Sequence, residues 1–479
     1  MLDWWQIAVV NVEYFFARQN TGADNEHQIT ITTTQATEVE MEMVIQKEQG
    51  KNTLLPMVII GTLFFVFGFV TWLNGSLIPF LKIVCELNEF QALLVTFAFY
   101  IAYVVMALPM SMLLNRIGYK NGMVAGLGIM AVGAVLFIPA AQTSYYGLFL
   151  IALFTLGTGL TILQTASNPY IVCIGPRESA AFRISIMGLV NKGAGFVVPL
   201  VFTAVILTGM DQFTPAALAA LSDTEKASRI AELSNRLVTP YIYMTIALVV
   251  LMAFVKFSPL PEPELENDTV AAGTQSQTSV LHFPQLVLGV VALFVYVGVE
   301  VIAGDTIGLY GQNLNVANFG ALTSYTMAFM VLGYLVGVSC IPKYLSQAQA
   351  LQGSAIFGLL FTLGVMFGSA ESHQVSALLF GWLGVPTVPD TIIYLALLGF
   401  ANALVWPSVW PLALDGLGKF TATGSALLIM GIAGGALLPL VYGYFAHSSG
   451  DSQLAYWVML PCYAFILFYA FKGHKIRQW

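Results

Sequence analysis

Three ionisable residues lie inside long apolar stretches of the chain: Lys192, Glu300 and Asp305. Each costs about 2.5–3.5 kcal/mol at the centre of a membrane helix on insertion scales, so all three need a polar cavity or an opposite charge. One interpretation is a structural bridge between the lysine and a carboxylate. The other is a site that couples a cation to a substrate. The two overlap, because a bridge that an ion breaks would act as a switch.

Both carboxylates lie between Tyr296 and Gly308. Tyr296 and Glu300 are four residues apart, so they share one helical face. Gly304 and Gly308 bracket Asp305, and we expect the helix to unwind there. Freed backbone carbonyls beside a carboxylate suit a small cation such as sodium. A carboxyl group in a dry cavity suits a proton equally well, and the residues do not decide between the two ions.

A stripe of hydroxyl and amide side chains follows the spacing i, i+3, i+4, i+7 of one helical face: Thr161, Gln164, Thr165 and Asn168. In lipid the stripe must point into a helix bundle. There it either bonds neighbouring helices or binds a ligand rich in hydroxyls, because amides both donate and accept hydrogen bonds. Further amides lie in other apolar stretches, at Asn74, Asn191 and Asn402.

Two tryptophans, Trp406 and Trp410, are also four residues apart. An aromatic ring can stack on the apolar face of a pyranose, and the indole N–H can reach a hydroxyl. The alternative is that these rings are interfacial anchors, a common use of tryptophan in membranes. Of the two, Trp406 is the better candidate for a sugar contact. Pro407 and Pro411 should kink the helix and free backbone acceptors.

The elements that must position these residues are membrane helices. Of 479 residues, 58% are hydrophobic and 9% charged, with 18 basic and 25 acidic side chains, whereas a soluble domain has about 25% charged residues. This excludes a soluble enzyme, a nucleic-acid binder and a disordered chain. A bilayer span needs about 20 mostly apolar residues. Twelve such runs, called span 1 to span 12, are predicted at 54–80, 90–114, 121–141, 146–174, 182–209, 239–257, 284–310, 321–341, 349–369, 391–414, 421–446 and 454–471.

The spans fall into two groups of six. We predict bundles over 53–257 and 283–472, a linker over 258–282 and a cytoplasmic tail over 473–479. Residues 1–52 are predicted to be a tail that is disordered or foreign to the native product. Twelve lysines and arginines adjoin the face that holds both termini, against four on the other face. This bias predicts that both termini are cytoplasmic.

The two halves repeat weakly. Ile186-Met187-Gly188, followed by Pro199-Leu200-Val201, recurs as Ile429-Met430-Gly431 and Pro439-Leu440-Val441, in the fifth span of each half. Related halves of this kind place a substrate site between them near the midplane. The histidines fall in tails and loops, and the four cysteines show no metal-ligand spacing. We therefore predict no catalytic residue, no metal site and no cofactor beyond a co-transported ion.

Several segments resemble a known family: Leu73–Pro79, Gln164–Tyr170, Tyr296–Glu300, and Leu417-Gly418-Lys419 with Gly424-Ser425. They are similar to the fucose–galactose–glucose:proton symporter family of the major facilitator superfamily, over about residues 52–472. The resemblance implies an all-α membrane protein with twelve transmembrane helices in two pseudo-symmetric six-helix halves. Members similar to fucose permease have acidic residues where this chain has Gly75 and Gln164, and Gln164 resembles the glucose/galactose branch.

This resemblance implies a secondary active transporter that imports a neutral hexose of the glucose or galactose type across the inner membrane. It would work by alternating access, coupled to a proton or sodium ion, as a monomer in membrane lipid. The alternatives are a transporter of N-acetylglucosamine or another amino-sugar, and an uncoupled facilitator or exporter of the same fold; an enzyme is not expected. Glu300, Asp305 and Lys192 would couple the cation. The sugar would be bound by Asn74, Gln164, Asn168, Asn191, Tyr296, Asn402 and Trp406.

Overall fold

A computed structural model of the chain describes residues 26–173, 180–209, 213, 221–260, 280–341, 344–417 and 420–479, and the regular structure in these ranges is helical throughout. Within them, twelve helices are long and apolar enough to cross a bilayer, as predicted. The helices that carry spans 1 to 12 are Glu26–Val84, Glu89–Ile117, Tyr119–Thr143, Tyr146–Cys173, Ala180–Ile206, Val238–Phe257, Pro284–Asn313, Leu322–Cys340, Gln347–Phe367, the pair Asp390–Asn402 and Val405–Leu414, the pair Thr421–Met430 and Gly434–Ser449, and Met459–Phe471.

The predicted domain boundaries remain predictions. The chain divides into two units between Leu55 and Pro56, and the first helix already begins at Glu26, inside the predicted tail. Residues 1–25, and residues 261–279 of the predicted linker, lie outside the described part of the chain.

Span 7 is a continuous α-helix from Pro284 to Asn313, so the expected unwinding beside Asp305 is wrong for this structure. Its glycines serve close packing instead. A Cβ at Gly304 would run into the ring of Trp72, and a Cβ at Gly308 would lie 2.7 Å from the carbonyl oxygen of Gly75. Glycine permits this approach of spans 1 and 7 because it has no side chain.

Span 10 is interrupted as the prolines predict. Its first helix ends at Asn402, and the second begins at Val405. Pro407 has no N–H to donate to the carbonyl of Ala403, four residues earlier, so the helix cannot pass through this point with all its hydrogen bonds. Pro411 is accommodated inside the second helix.

A polar helix precedes span 6, from Asp223 to Asn235, and was not predicted. The sequence carried a signal for it. Ser222 and Glu225 form a capping box, with 2.6 Å between the serine hydroxyl and the carboxylate, and a Ser-x-x-Glu pattern is typical of a helix start. The short helix Gln374–Phe380 between spans 9 and 10 was missed as well.

The connections that follow odd-numbered spans lie on one face of the bundle, which we call the odd face; the opposite face is the even face. A hydrogen-bonded network joins the two halves at the odd face. Lys82 Nζ contacts Glu89 at 2.6 Å and Asn313 Oδ1 at 3.0 Å, and Asn313 Nδ2 donates to Glu89 at 2.9 Å and to Ser452 at 3.3 Å. These four residues, called the odd-face lock, belong to spans 1, 2 and 7 and to the connection after span 11.

Candidate functional site

The structure pairs two of the three predicted intramembrane charges. Lys192 Nζ of span 5 donates to Glu300 Oε1 of span 7 at 2.7 Å. The two residues are only 9% and 8% exposed. Because span 5 belongs to the first half and span 7 to the second, this buried ion pair bridges the seam between them. The ammonium also lies 4.4 Å from the ring centroid of Trp72 in span 1.

Buried tyrosines lie near Glu300. Tyr296 is hydrogen-bonded to the carboxylate, and three further tyrosines from other spans lie within electrostatic range of it: Tyr100, Tyr334 and Tyr463. Glu300 also interacts with Asp305 on its own helix. The carboxylate therefore bonds to span 5 through Lys192 and lies within electrostatic range of buried hydroxyls on spans 2, 8 and 12.

Asp305 is fully buried and has no cation beside it among the contacts described. Its Oδ2 accepts a hydrogen bond from Thr96 of span 2 at 3.2 Å. Its Oδ1 has no hydrogen-bond partner in the described part of the chain. The preceding carbonyls are not free, since Ala303 accepts from Thr326 at 3.2 Å and Gly304 from Thr323 at 2.9 Å. Oxygen ligands for a metal cation are thus few here, although a neutral carboxyl group fits the surroundings.

The predicted polar stripe divides into two kinds of side chain. Thr161 and Thr165 donate to carbonyls of their own helix, at 2.8 and 2.7 Å. Gln164 and Asn168 are partly exposed, and neither carboxamide makes a hydrogen bond among the described residues. These two amides are therefore available to a ligand, whereas the two hydroxyls are already satisfied.

The other predicted amides are either hydrogen-bonded or buried. Asn191 Oδ1 lies 3.5 Å from the indole nitrogen of Trp72, and its Nδ2 lies 3.4 Å from the carbonyl of Phe64. Asn74 is 2% exposed, and its Nδ2 has no partner in the described structure. Asn402 is fully buried in span 10 and accepts a hydrogen bond from Tyr463 at 2.9 Å. That bond gives Asn402 a packing role in this conformation.

A row of rings leads from span 7 to span 10. The centroids of Tyr296 and Trp406 are 6.4 Å apart, and those of Trp406 and Trp410 are 5.6 Å apart. Tyr296 is also one helical turn from Glu300. The row therefore connects the predicted stacking residue Trp406, which is partly exposed, with the buried ion pair.

Two contacts of the candidate site were not predicted from the sequence. Nothing in the sequence indicates that Thr96 contacts Asp305, because a threonine in an apolar span is common. Trp72 directly precedes the Leu73-Asn74-Gly75 segment, and only the fold shows that it touches Lys192. No group of three or more histidine, cysteine, aspartate or glutamate residues that could hold a metal ion occurs within the described ranges.

Comparison with known proteins gives consistent matches. The family model of the Major Facilitator Superfamily matches residues 60–439. A glucose/galactose transporter of Brucella abortus biovar 1 (strain 9-941) is 34% identical over 431 residues, which cover 89% of this chain and 95% of that protein. An L-fucose-proton symporter of Escherichia coli (strain K12) is 25% identical over 429 residues, covering 88% and 94%. The crystal structure of the transporter FucP in the outward conformation has the same fold, with a TM-score of 0.66 at 24% identity over 88% of this chain and 98% of that one.

Proposed function

The chain belongs to the major facilitator superfamily, and on that premise we propose that it is a sugar:cation symporter. It imports a neutral hexose of the glucose or galactose type by alternating access of its two halves. The glucose/galactose transporter that matches 89% of the chain supports this substrate class. Membership of a family of transporters also bears out the prediction that the protein is not an enzyme.

The observation that carries the proposal is the buried bridge between Lys192 and Glu300. Desolvating two charges is expensive, and a well-packed apolar pair is often as stable, so such a bridge is weak evidence for a role in stability alone. Because the pair joins the two halves, whatever neutralises Glu300 also weakens the contact between them. A cation that binds here therefore couples its own binding to the rocking of the halves.

We propose the proton as that cation. Asp305 has one hydroxyl partner and one unpartnered oxygen, and the nearby carbonyls of span 7 accept hydrogen bonds from threonines. A proton needs a single oxygen atom, whereas metal cations need several oxygen ligands. The match to an L-fucose-proton symporter points the same way. Glu300 and Asp305 are the proposed coupling carboxylates, and Lys192 responds to their charge.

The proposed sugar site lies between span 4 and the row of rings. Gln164 and Asn168 offer free carboxamides, and Trp406 offers a partly exposed ring beside Tyr296. A hydroxyl-rich ligand would pair these amides, and an analogue that lacks a hydroxyl would leave one unpaired, which gives selectivity. Asn74 and Asn402 are buried and contribute only if the halves rearrange, whereas the partly exposed Asn191 would have to exchange its contacts with Trp72 and Phe64 for the sugar.

The protein crosses the membrane many times, with twelve apolar helices in the described ranges. We further propose that it acts as a monomer in the inner membrane with both termini in the cytoplasm, from the distribution of lysine and arginine. The odd face is then the outer face, and the odd-face lock closes the site toward the outside.

Uptake into proteoliposomes tests this function. Radiolabelled glucose, galactose and N-acetylglucosamine are compared under imposed proton and sodium gradients, for the wild type, Glu300→Gln and Asp305→Asn. We expect accumulation of a neutral hexose that is driven by protons and lost in both variants. Accumulation that is unchanged in both variants would show that the coupling assignment is wrong. Sodium-driven accumulation would exclude the proton.

A further inference from the structure

Trp72 of span 1 is a second partner of the Lys192 ammonium. The indole is 1% exposed, and Lys192 Nζ lies 4.4 Å from its ring centroid. A lysine ammonium has three N–H donors, and the contacts found for this one are the Glu300 carboxylate and the ring face. Cation–π attraction is strongest for tryptophan and increases when the cation is desolvated, so this ring face is a substantial contact.

The same indole lies at the seam between the halves. Its ring atoms fill the space that a Cβ would need at Gly195 in span 5 and at Gly304 in span 7. Trp72, Gly195 and Lys192 belong to the first half, whereas Gly304 and Glu300 belong to the second. A movement of the halves therefore separates Lys192 from Glu300 but leaves it beside Trp72.

We propose that Trp72 is a positioning residue for cation coupling: it holds the Lys192 ammonium whenever Glu300 is neutralised or has moved away. This inference rests on the proposed function. Burying an ammonium that has lost its counter-charge costs free energy. The Trp72 ring lowers this cost through a cation–π contact with Lys192, and both residues belong to the same half. The ion pair can then open and close during a transport cycle. Within the described ranges, the other ionisable groups found to interact with Glu300 are the four tyrosines and Asp305 described above, and none of these carries a positive charge.

A mutant cycle on the full-length protein tests this role. Trp72→Leu removes the π face and Trp72→Phe keeps one; each is made in the wild type, in Glu300→Gln and in Lys192→Met. Sugar counterflow in proteoliposomes and thermal unfolding in detergent are measured for each variant. In Glu300→Gln the ammonium depends on the ring alone. We therefore expect Trp72→Leu to slow counterflow there by about tenfold more than in the wild type.

The phenylalanine variant is the matched control. We expect its effect to be the same with and without Glu300→Gln, because an aromatic face remains under the ammonium. In Lys192→Met, where no cation is left, the leucine and phenylalanine variants should behave alike. Equal losses from Trp72→Leu in the wild type and in Glu300→Gln would overturn the proposal, because an ordinary packing residue gives additive losses. A difference between leucine and phenylalanine that persists in Lys192→Met would overturn it too.

The thermal measurement separates this inference from the proposed function, since unfolding midpoints need no sugar. If no hexose is transported but Trp72→Leu lowers the midpoint more in Glu300→Gln than in the wild type, the function is wrong and the role of Trp72 stands. If Trp72→Leu does not fold in Glu300→Gln but folds in Lys192→Met, the result supports the proposal. If Trp72→Leu folds in neither background, Trp72→Phe provides the test. A larger loss of the unfolding midpoint from Trp72→Phe in Glu300→Gln than in the wild type would overturn the proposal.

Discussion

Replacing Lys192 by methionine removes the positive charge from the seam and leaves Glu300 buried without a counter-charge. The pair is separated by 2.7 Å, and both side chains are about 10% exposed, so water offers little compensation. Removing one partner of a buried ion pair costs about 3–5 kcal/mol. We expect Lys192→Met to lower the thermal midpoint. If the whole cost appears in the transport barrier, sugar counterflow should slow by roughly two to four powers of ten.

The double variant Lys192→Met with Glu300→Gln separates charge burial from other effects. It leaves neither member of the Lys192–Glu300 pair ionised, and replacing a buried ion pair by neutral groups of similar size is often close to neutral in stability. We therefore expect it to recover most of the midpoint and of the counterflow rate, which needs no net coupling. Accumulation against a gradient should remain lost, because the coupling carboxylate is absent.

The assay compares counterflow and accumulation in the same proteoliposomes, beside the thermal midpoint in detergent. Lys226→Met is the matched control: Lys226 pairs with Glu86 at the odd face, and both side chains are much more exposed, so that pair contributes at most about 1 kcal/mol. A double variant as impaired as the two single losses combined would refute the reasoning, since the two residues would then not act as a pair.

Three further changes test other parts of the structure. Glu89→Gln should weaken the odd-face lock and increase labelling of cysteines introduced on the outer side of the seam. Gln164→Ala should raise the KM for the hexose roughly 2- to 10-fold, as expected for one lost hydrogen bond, whereas Thr165→Val should not, because that hydroxyl is satisfied by its own helix. Gly304→Ala should lower the stability by about 1–3 kcal/mol, because the added Cβ meets the Trp72 ring. Gly193→Ala should leave the stability unchanged or raise it, because no atom lies within 4 Å of the added Cβ. Thermal unfolding measures both effects.

Much of the fold is predictable because the bilayer sets both the length and the composition of each span. The break in span 10 also follows from sequence, since Pro407 cannot donate a backbone hydrogen bond. The glycines of span 7 show the limit of such reasoning. Glycines at positions 304 and 308 are compatible both with an unwound helix and with close helix packing. Only the position of span 1 against span 7 shows that they serve close packing.

The site is predictable in its chemistry but not in its pairings. The cost of burying charge predicts that Lys192 needs a polar cavity or a carboxylate. That it pairs with Glu300 rather than Asp305 depends on the rotation and height of spans 5 and 7. The contacts of Trp72 and Thr96 depend in the same way on how separate helices pack. Local periodicity holds no information about these distances between helices.

The central claim is that neutralising Glu300 couples a proton to sugar movement between the two halves. Sugar-induced proton uptake tests it most directly, measured with a pH-sensitive dye inside proteoliposomes when hexose is added without an imposed gradient. The wild type should take up protons together with the sugar, and Glu300→Gln should show none while still performing counterflow. Undiminished sugar-induced proton uptake in Glu300→Gln, or none in a wild type that transports the sugar, would contradict the claim.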